Sequence, residues 1–484
     1  MRNMTATTLG SAEADIPIRE GEYGDRVIAV EPGGIEMIPE RERHGRPLDL
    51  FWTWMSPNLE FATVYVGVLP IAVFGGSFWL TALGVVLGTA LGSLTHGILS
   101  SWGPRFGIPQ MVQARGAFGF RGGILPAGLN AFTAGVGWFV VNSVSGAFAL
   151  SALTHMSFSL AYVIVVLAQV LVAFVGHNLV HAFERWVFPY LAVVFAIATV
   201  VTLTKAHFGV GFNPKAPVAA GGSSAAFILA VVIAFGYAIG WNPYASDYTR
   251  YLPSKVNRFR VGLAAGLGIF VSCAVLEIAG AASATLGGTN ANPTTNFTDP
   301  LGTFLGDLVL VGVTIGAVSA NVLNIYSGAM SFLTLGIKLK LKIRRAVTAM
   351  ASGIVGLVVG LHFQADVGPG SKYDNFLLAI SYWITPFLAV VLIDYFVFRR
   401  GRYDEHEFFD TRRMLWQAPL SMALGIAASV PFWDQQPPFL GAFAKAHPGA
   451  GDLSFLVGFG VAGLAYLLLG ALTRRAVAPA AAPT

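Results

Sequence analysis

The side chains best placed to do chemistry in this sequence sit in the middle of long apolar runs. Trp138 and Asn142 stand four residues apart, and Asn321 and Asn324 three apart, so each pair shares one helix face. An amide offers both donors and an acceptor, and an indole offers a flat apolar face. Uncapped amides in hydrocarbon are expensive unless they are paired or functional. The competing reading is that they join neighbouring helices by hydrogen bonds. Two carboxylates, Glu60 and Glu277, lie in equally apolar surroundings, where each could take up a proton or serve a structural hydrogen bond.

Two further stretches are built to interrupt helices. The first reads Trp52-Thr53-Trp54-Met55-Ser56-Pro57-Asn58, and the second Gly236-Tyr237-Ala238-Ile239-Gly240-Trp241-Asn242-Pro243. Pro57 and Pro243 each remove a backbone donor, and Gly240 loosens the preceding turn. In lipid the freed backbone groups need partners, so such breaks survive only inside the protein or beside a polar cavity. Asn58 and Asn242 are 184 positions apart. That separation is five spans, an odd number, which gives the two halves opposite orientations. Paired breaks in inverted halves are how many secondary transporters build a site at the membrane midplane.

The elements that must hold these residues are membrane helices. The chain is 55% hydrophobic and 11% charged, with a mean hydropathy of +0.65. A water-soluble domain carries about 25% charged residues. The apolar runs are continuous, whereas a membrane β-barrel needs strands of about ten residues with alternating polarity. Twelve spans are predicted near 50–75, 78–100, 123–153, 158–176, 187–206, 225–246, 261–286, 304–335, 346–362, 374–398, 415–432 and 454–473. Segments 1–49, 101–122, 177–186, 247–260, 336–345, 399–413 and 474–484 lie on one side and hold 26 of the 30 Lys and Arg. Basic residues accumulate in the cytoplasm, so both termini are expected inside a cytoplasmic membrane. Residues 1–47 read as a mobile cytoplasmic tail and 475–484 as a second short tail.

A family resemblance then becomes specific. The run Trp241-Asn242-Pro243-Tyr244-Ala245-Ser246-Asp247-Tyr248-Thr249-Arg250-Tyr251-Leu252-Pro253 resembles the signature of purine/cytosine permeases in the nucleobase:cation symporter-1 family. Ala114 to Gly122 (ARGAFGFRG), His181 to Trp186 (HAFERW), Leu276 to Gly280 (LEIAG) and Asn321 to Ser327 (NVLNIYS) resemble other segments of that family. The likeness runs over about residues 45–400. It implies an all-α leucine-transporter-type fold of five-plus-five inverted repeats, over 48–210 and 225–398, with two extra helices over 414–474. It also implies a cation-coupled importer of a nucleobase such as cytosine or a purine.

By the same resemblance, Trp138 and Trp241 match residues that stack on the solute ring, and Asn142 and Asn324 match those that bond its edge. Asn321 is expected just behind them, and Ser56 and Asn58 at the first break would complete the pocket. Ser319 matches a hydroxyl of the sodium site found in some members. Val318 stands where that site usually has a second hydroxyl, so the coupling ion is left as sodium or a proton, the latter through Glu60 or Glu277. Allantoin, a hydantoin, a pyridine vitamin or a nucleoside would present similar edges.

Other features are read as structural. His177 and His181 have the spacing of a zinc helix but lack the intervening glutamate of a metalloprotease, and no metal site or cofactor is expected. The spans hold no nucleophile–base pair, so an intramembrane enzyme is not supported. A channel is the remaining unfavoured class. The single cysteine, Cys273, is a small core residue. A pI near 9.3 reports topology and not nucleic-acid binding. The run Lys338 to Arg345 reads as a topology anchor, and Asn296-Phe297-Thr298 is an outer-side sequon. No cleavable leader is visible.

Overall fold

A computed structural model describes residues 15–20, 22, 24–27, 31, 34–175, 177–219, 221–288, 292–337, 353–362, 372–434 and 439–477. Among the described residues, nine helices are long and apolar enough to cross a bilayer. Three shorter apolar helices, Phe61–Ala72, Gly353–His362 and Gln417–Phe432, fall in predicted spans one, nine and eleven. Apart from isolated bridge positions at Ile18, Met37 and Phe439, the described residues are helix, turn, bend or loop.

We label the principal helices in chain order. Break one separates α1 (Asp49–Met55) from α2 (Phe61–Ala72). Next come α3 (Phe78–Ser100), α4 (Gln110–Gly122), α5 (Ile124–Thr154), α6 (Phe158–Val175) and α7 (His177–Lys205). Break two separates α8 (Gly222–Ile239) from α9 (Ala245–Thr249). After it run α10 (Arg258–Ala284), α11 (Thr303–Thr334), α12 (Gly353–His362), α13 (Lys372–Ile393), α14 (Gln417–Ser429) and α15 (Ser454–Val477).

Two packed groups carry the breaks between them. α3 lies against α8 and α10, and α10 also lies along α2. α11 packs against α5, α6 and α7. The contact of α2 with α10 is backbone to backbone. A Cβ on Gly67 would stand 1.7 Å from the Glu277 carbonyl oxygen, and one on Gly280 would stand 1.8 Å from the Val64 carbonyl oxygen. Small residues permit this closeness, which maximises van der Waals contact where no hydrophobic effect favours helix association.

Three expectations need correction. The stretch 177–186 is not a loop but the first turns of α7. Its polar residues are turned inward: His177, Asn178 and Glu184 are buried. The stretch 101–122 contains α4, whose Arg115 is buried and donates to the carbonyls of Thr334 (2.7 Å) and Phe408 (3.1 Å). The described N-terminal residues are packed and not a free tail. Arg19, Glu31, Ile38 and Glu42 are all buried. The Ile38 amide donates to Gly107 O at 2.9 Å and the His44 amide to Tyr251 O at 2.6 Å. Charged residues read as solvated in a sequence are here matched by Arg250, which donates to Gly34 O (2.8 Å) and lies 3.6 Å from Glu31. The basic run Lys338 to Arg345 lies outside the described residues.

Candidate functional site at the two helix breaks

Break one is a single 3-10 turn, Ser56–Asn58, followed by extended backbone at Glu60. Its freed polar groups are satisfied locally. Asn58 Nδ2 donates to Trp54 O (2.7 Å), and Thr63 Oγ1 donates to Asn58 O (2.7 Å). The Glu60 carboxylate caps α2 by accepting from the Ala62 amide at 2.8 Å, and it also accepts from the Tyr237 hydroxyl at 3.2 Å. Break two is the turn Asn242–Tyr244, led by Pro243. The breaks meet directly, since Trp241 Nε1 donates to Asn58 Oδ1 at 2.9 Å.

The second indole reaches the same place from α5. Just before it the helix widens into a π-helical turn, Thr133–Trp138, a local feature that recurs at functional sites. The Trp138 ring lies so close to Gly240 that a Cβ there would come within 2.8 Å of it. Tyr237 and Phe376 meet Trp138 edge-on at 5.3 and 5.2 Å. Phe376 also lines a cavity of about 260 Å³ between α2, α5 and α13, with Phe61, Tyr65, Val140 and Tyr373. Phe376 is therefore a wall shared by the indole and that cavity.

The amides form one chain. Tyr244 donates its hydroxyl to Asn324 Oδ1 at 2.7 Å. Asn324 Nδ2 and Asn142 Nδ2 both donate to Asn321 Oδ1, at 3.2 and 3.1 Å. Asn321 Nδ2 donates to Phe139 O (2.8 Å), Ser143 Oγ (3.1 Å) and Gln169 Oε1 (3.0 Å). Asn321 is thus fully engaged by the protein and holds the other two amides in place. Among the described residues, Asn142 Oδ1 has no hydrogen-bond partner although it is buried. Buried acceptors are normally paired, so this atom stands out in the chain of amides.

The residues predicted for the ion divide. Ser56 Oγ and Ser319 Oγ are brought to 3.4 Å across the first break. Glu277 is held elsewhere, accepting from Thr89 Oγ1 at 2.6 Å, where it ties α10 to α3. Reading the sequence missed Glu184, whose Oε2 accepts from the Ser319 hydroxyl. The signal was present: His177, Val180, Glu184 and Leu191 recur at helical spacing and are all buried. It also missed Tyr244 and Gln169, the latter a polar residue inside an otherwise apolar span. His177 stacks on Tyr251 at 3.6 Å, and His181 Nδ1 lies 2.9 Å from Thr53 Oγ1. Among the described residues no three potential metal ligands cluster.

Comparison with known proteins places this arrangement. The family described as "Permease for cytosine/purines, uracil, thiamine, allantoin" matches residues 37–458. YxlA of Bacillus subtilis is 30% identical over 454 residues, covering 91% of this chain and 96% of its own. The purine-cytosine permease fcyB of Emericella nidulans is 29% identical, covering 96% of this chain and 95% of its own. Among solved structures, the nucleobase-cation-symport-1 family transporter Mhp1, closed on bromovinylhydantoin, superposes with a TM-score of 0.72 at 22% identity. That match covers 92% of this chain and 96% of the other. The shared fold is the leucine-transporter type, an inverted repeat with two further helices.

Proposed function

The chain belongs to this family of multi-pass membrane permeases, and from that premise we propose that it imports a purine or cytosine together with a monovalent cation by alternating access. The carrying observation is the convergence of Trp138, Trp241, Asn142 and Asn324 on the two helix breaks. Indole faces hold a base plane at about 1–3 kcal/mol per stacked base. The amides supply the edge, with Asn321 as the residue that orients them. On solute entry the Tyr244–Asn324 bond is exchanged for one to the base. The helices carrying Trp138 and Asn324 then shift against those carrying Pro57 and Trp241, and cation and solute each strengthen the other's binding. Ser56 and Asn58 belong to the moving break.

Competition binding tests this assignment. Asn324→Ala should weaken bases unequally, by roughly tenfold to hundredfold for those whose edge it meets, the equivalent of about 1–3 kcal/mol. Trp241→Ala should weaken all planar ligands alike, and Trp241→Phe less. The panel should hold cytosine, adenine, guanine, hypoxanthine, uracil and allantoin. Wild-type affinity for every one of them in both Ala variants places the pocket elsewhere.

We also propose a plasma-membrane location with both termini cytoplasmic, the repeats spanning 48–210 and 225–398. In a Cys273→Ala background, a cysteine at Lys215 should react with an impermeant thiol reagent from outside intact cells, and one at Arg400 only after permeabilisation. Labelling of position 400 in intact cells overturns the orientation.

A further inference from the structure

Glu184 is a buried carboxylate held against the first break through Ser319. Its side chain has no exposure. Oε2 accepts from the Ser319 hydroxyl, and Oε1 has no hydrogen-bond partner among the described residues. Glu60, by comparison, has both oxygens engaged, one by the α2 amide and one by Tyr237. Glu277 likewise has one oxygen on Thr89 and the other without a partner among the described residues, but its bond ties α10 to α3 and reaches no residue of break one. An isolated charge in so dry a place is untenable without a counter-charge. No basic side chain is paired with Glu184 among the described residues. The Ser56 hydroxyl, 3.4 Å from that of Ser319, adds an oxygen from the break itself. The position thus joins three elements: break one, α7 and α11.

Resting on the transport reading above, we propose that the coupling cation is held by the Glu184 carboxylate, with the Ser319 and Ser56 hydroxyls beside it. A neutral pair of adjacent hydroxyls is not available, because Val318 precedes Ser319. The negative charge comes instead from α7, where it sits at the junction of a broken helix and a continuous one. A cation that neutralises Glu184 holds break one against α11, and its departure frees them. The two cations compatible with this chemistry are sodium and a proton, and the site serves whichever the experiment identifies. The other titratable groups on the elements that meet there are Glu60 at break one, Asp49 on α1, His181 and Arg185 on α7 and Asp307 on α11.

The test measures cytosine binding to the purified full-length protein along two axes, sodium at fixed pH and pH at fixed sodium. Wild-type affinity should change at least tenfold along one axis, and that axis names the cation. Glu184→Gln should flatten the same axis to less than twofold, and Glu277→Gln should leave it. Retained cation dependence in Glu184→Gln, or its loss only in Glu277→Gln, overturns the proposal. A second measurement needs neither a variant nor a solute. Modification of Glu184 by a hydrophobic carbodiimide, located by peptide mass spectrometry, should fall at least threefold on raising sodium or on raising pH. Modification insensitive to both overturns the proposal as well. Failure of cytosine and every other base to bind counts against the solute reading, and the carbodiimide result then decides the cation site alone.

Discussion

Gly280→Leu should abolish the folded protein. At this position a Cβ alone would lie 1.8 Å from the Val64 carbonyl oxygen, and the facing Gly67 meets the Glu277 carbonyl oxygen at 1.7 Å. No rotamer relieves the clash, because the obstructing atoms are backbone. The helices would have to separate, losing the contacts along α2 and α10 together. Overpacking costs about 1–3 kcal/mol in yielding cores and more where nothing can give. Gly280→Ala, which adds only the Cβ, should already cost about 3 kcal/mol. Gly460 on α15 has open space around its missing Cβ, and Gly460→Ala should change stability by about 0.5 kcal/mol or less. Fluorescence-detected size exclusion and thermal unfolding in detergent read both. A monodisperse Gly280→Leu protein melting near wild type would show that α2 and α10 do not touch as described.

Arg250→Ala should be the most damaging change at a charged residue. The guanidinium is buried and donates to Gly34 O (2.8 Å), the Tyr326 hydroxyl (3.0 Å) and the Tyr251 hydroxyl (3.2 Å), beside Glu31 at 3.6 Å. Tyr251 also donates to Glu31. Removing one member of a buried ionic network costs about 3–5 kcal/mol, because the partner's charge stays behind. Arg250→Lys should recover little, since an ammonium cannot reproduce the planar fork. Tyr326→Phe removes a hydroxyl that accepts from Arg250, bonds Tyr251 and donates to Glu31, but leaves the charges paired, and should cost less, about 1–3 kcal/mol. Protease cleavage within residues 15–46 should rise in the same order. If Arg250→Ala melts with the wild type and resists protease equally, the N-terminal strap is held by something other than this guanidinium.

Much of the scaffold was legible in the sequence because bilayer thickness imposes a length and an apolar composition on every span. The predicted 78–100 and 158–176 match α3 and α6 almost residue for residue. The two breaks were legible because proline and glycine leave a mark that hydropathy does not hide. What was not legible is where polar density is buried. His177, Asn178 and Glu184 look like a loop by composition, yet they face inward against the strap and break one. The amide chain shows a similar limit. Spacing puts Asn321 and Asn324 on one face, but only the fold shows that Asn321 is consumed by Asn142, Phe139 and Gln169. The Ser319–Glu184 contact joins residues 135 positions apart, beyond any local pattern.

The strap under Arg250 also fixes an order of events during biogenesis. Glu31 emerges from the ribosome early, but its partners Arg250 and Tyr326 lie 219 and 295 positions later. Until span eight has been made and inserted, Arg250 and Glu31 lack Tyr326, so the network around Glu31 is incomplete. The segment around Glu31, made early, is therefore among the last to gain all its partners. A chain truncated and released after residue 260 should leave the segment around Glu31 open to protease, and one truncated and released after residue 337 should protect it. The same order makes the strap a report on completion: only a chain that has placed break two and α11 can complete the network around Glu31.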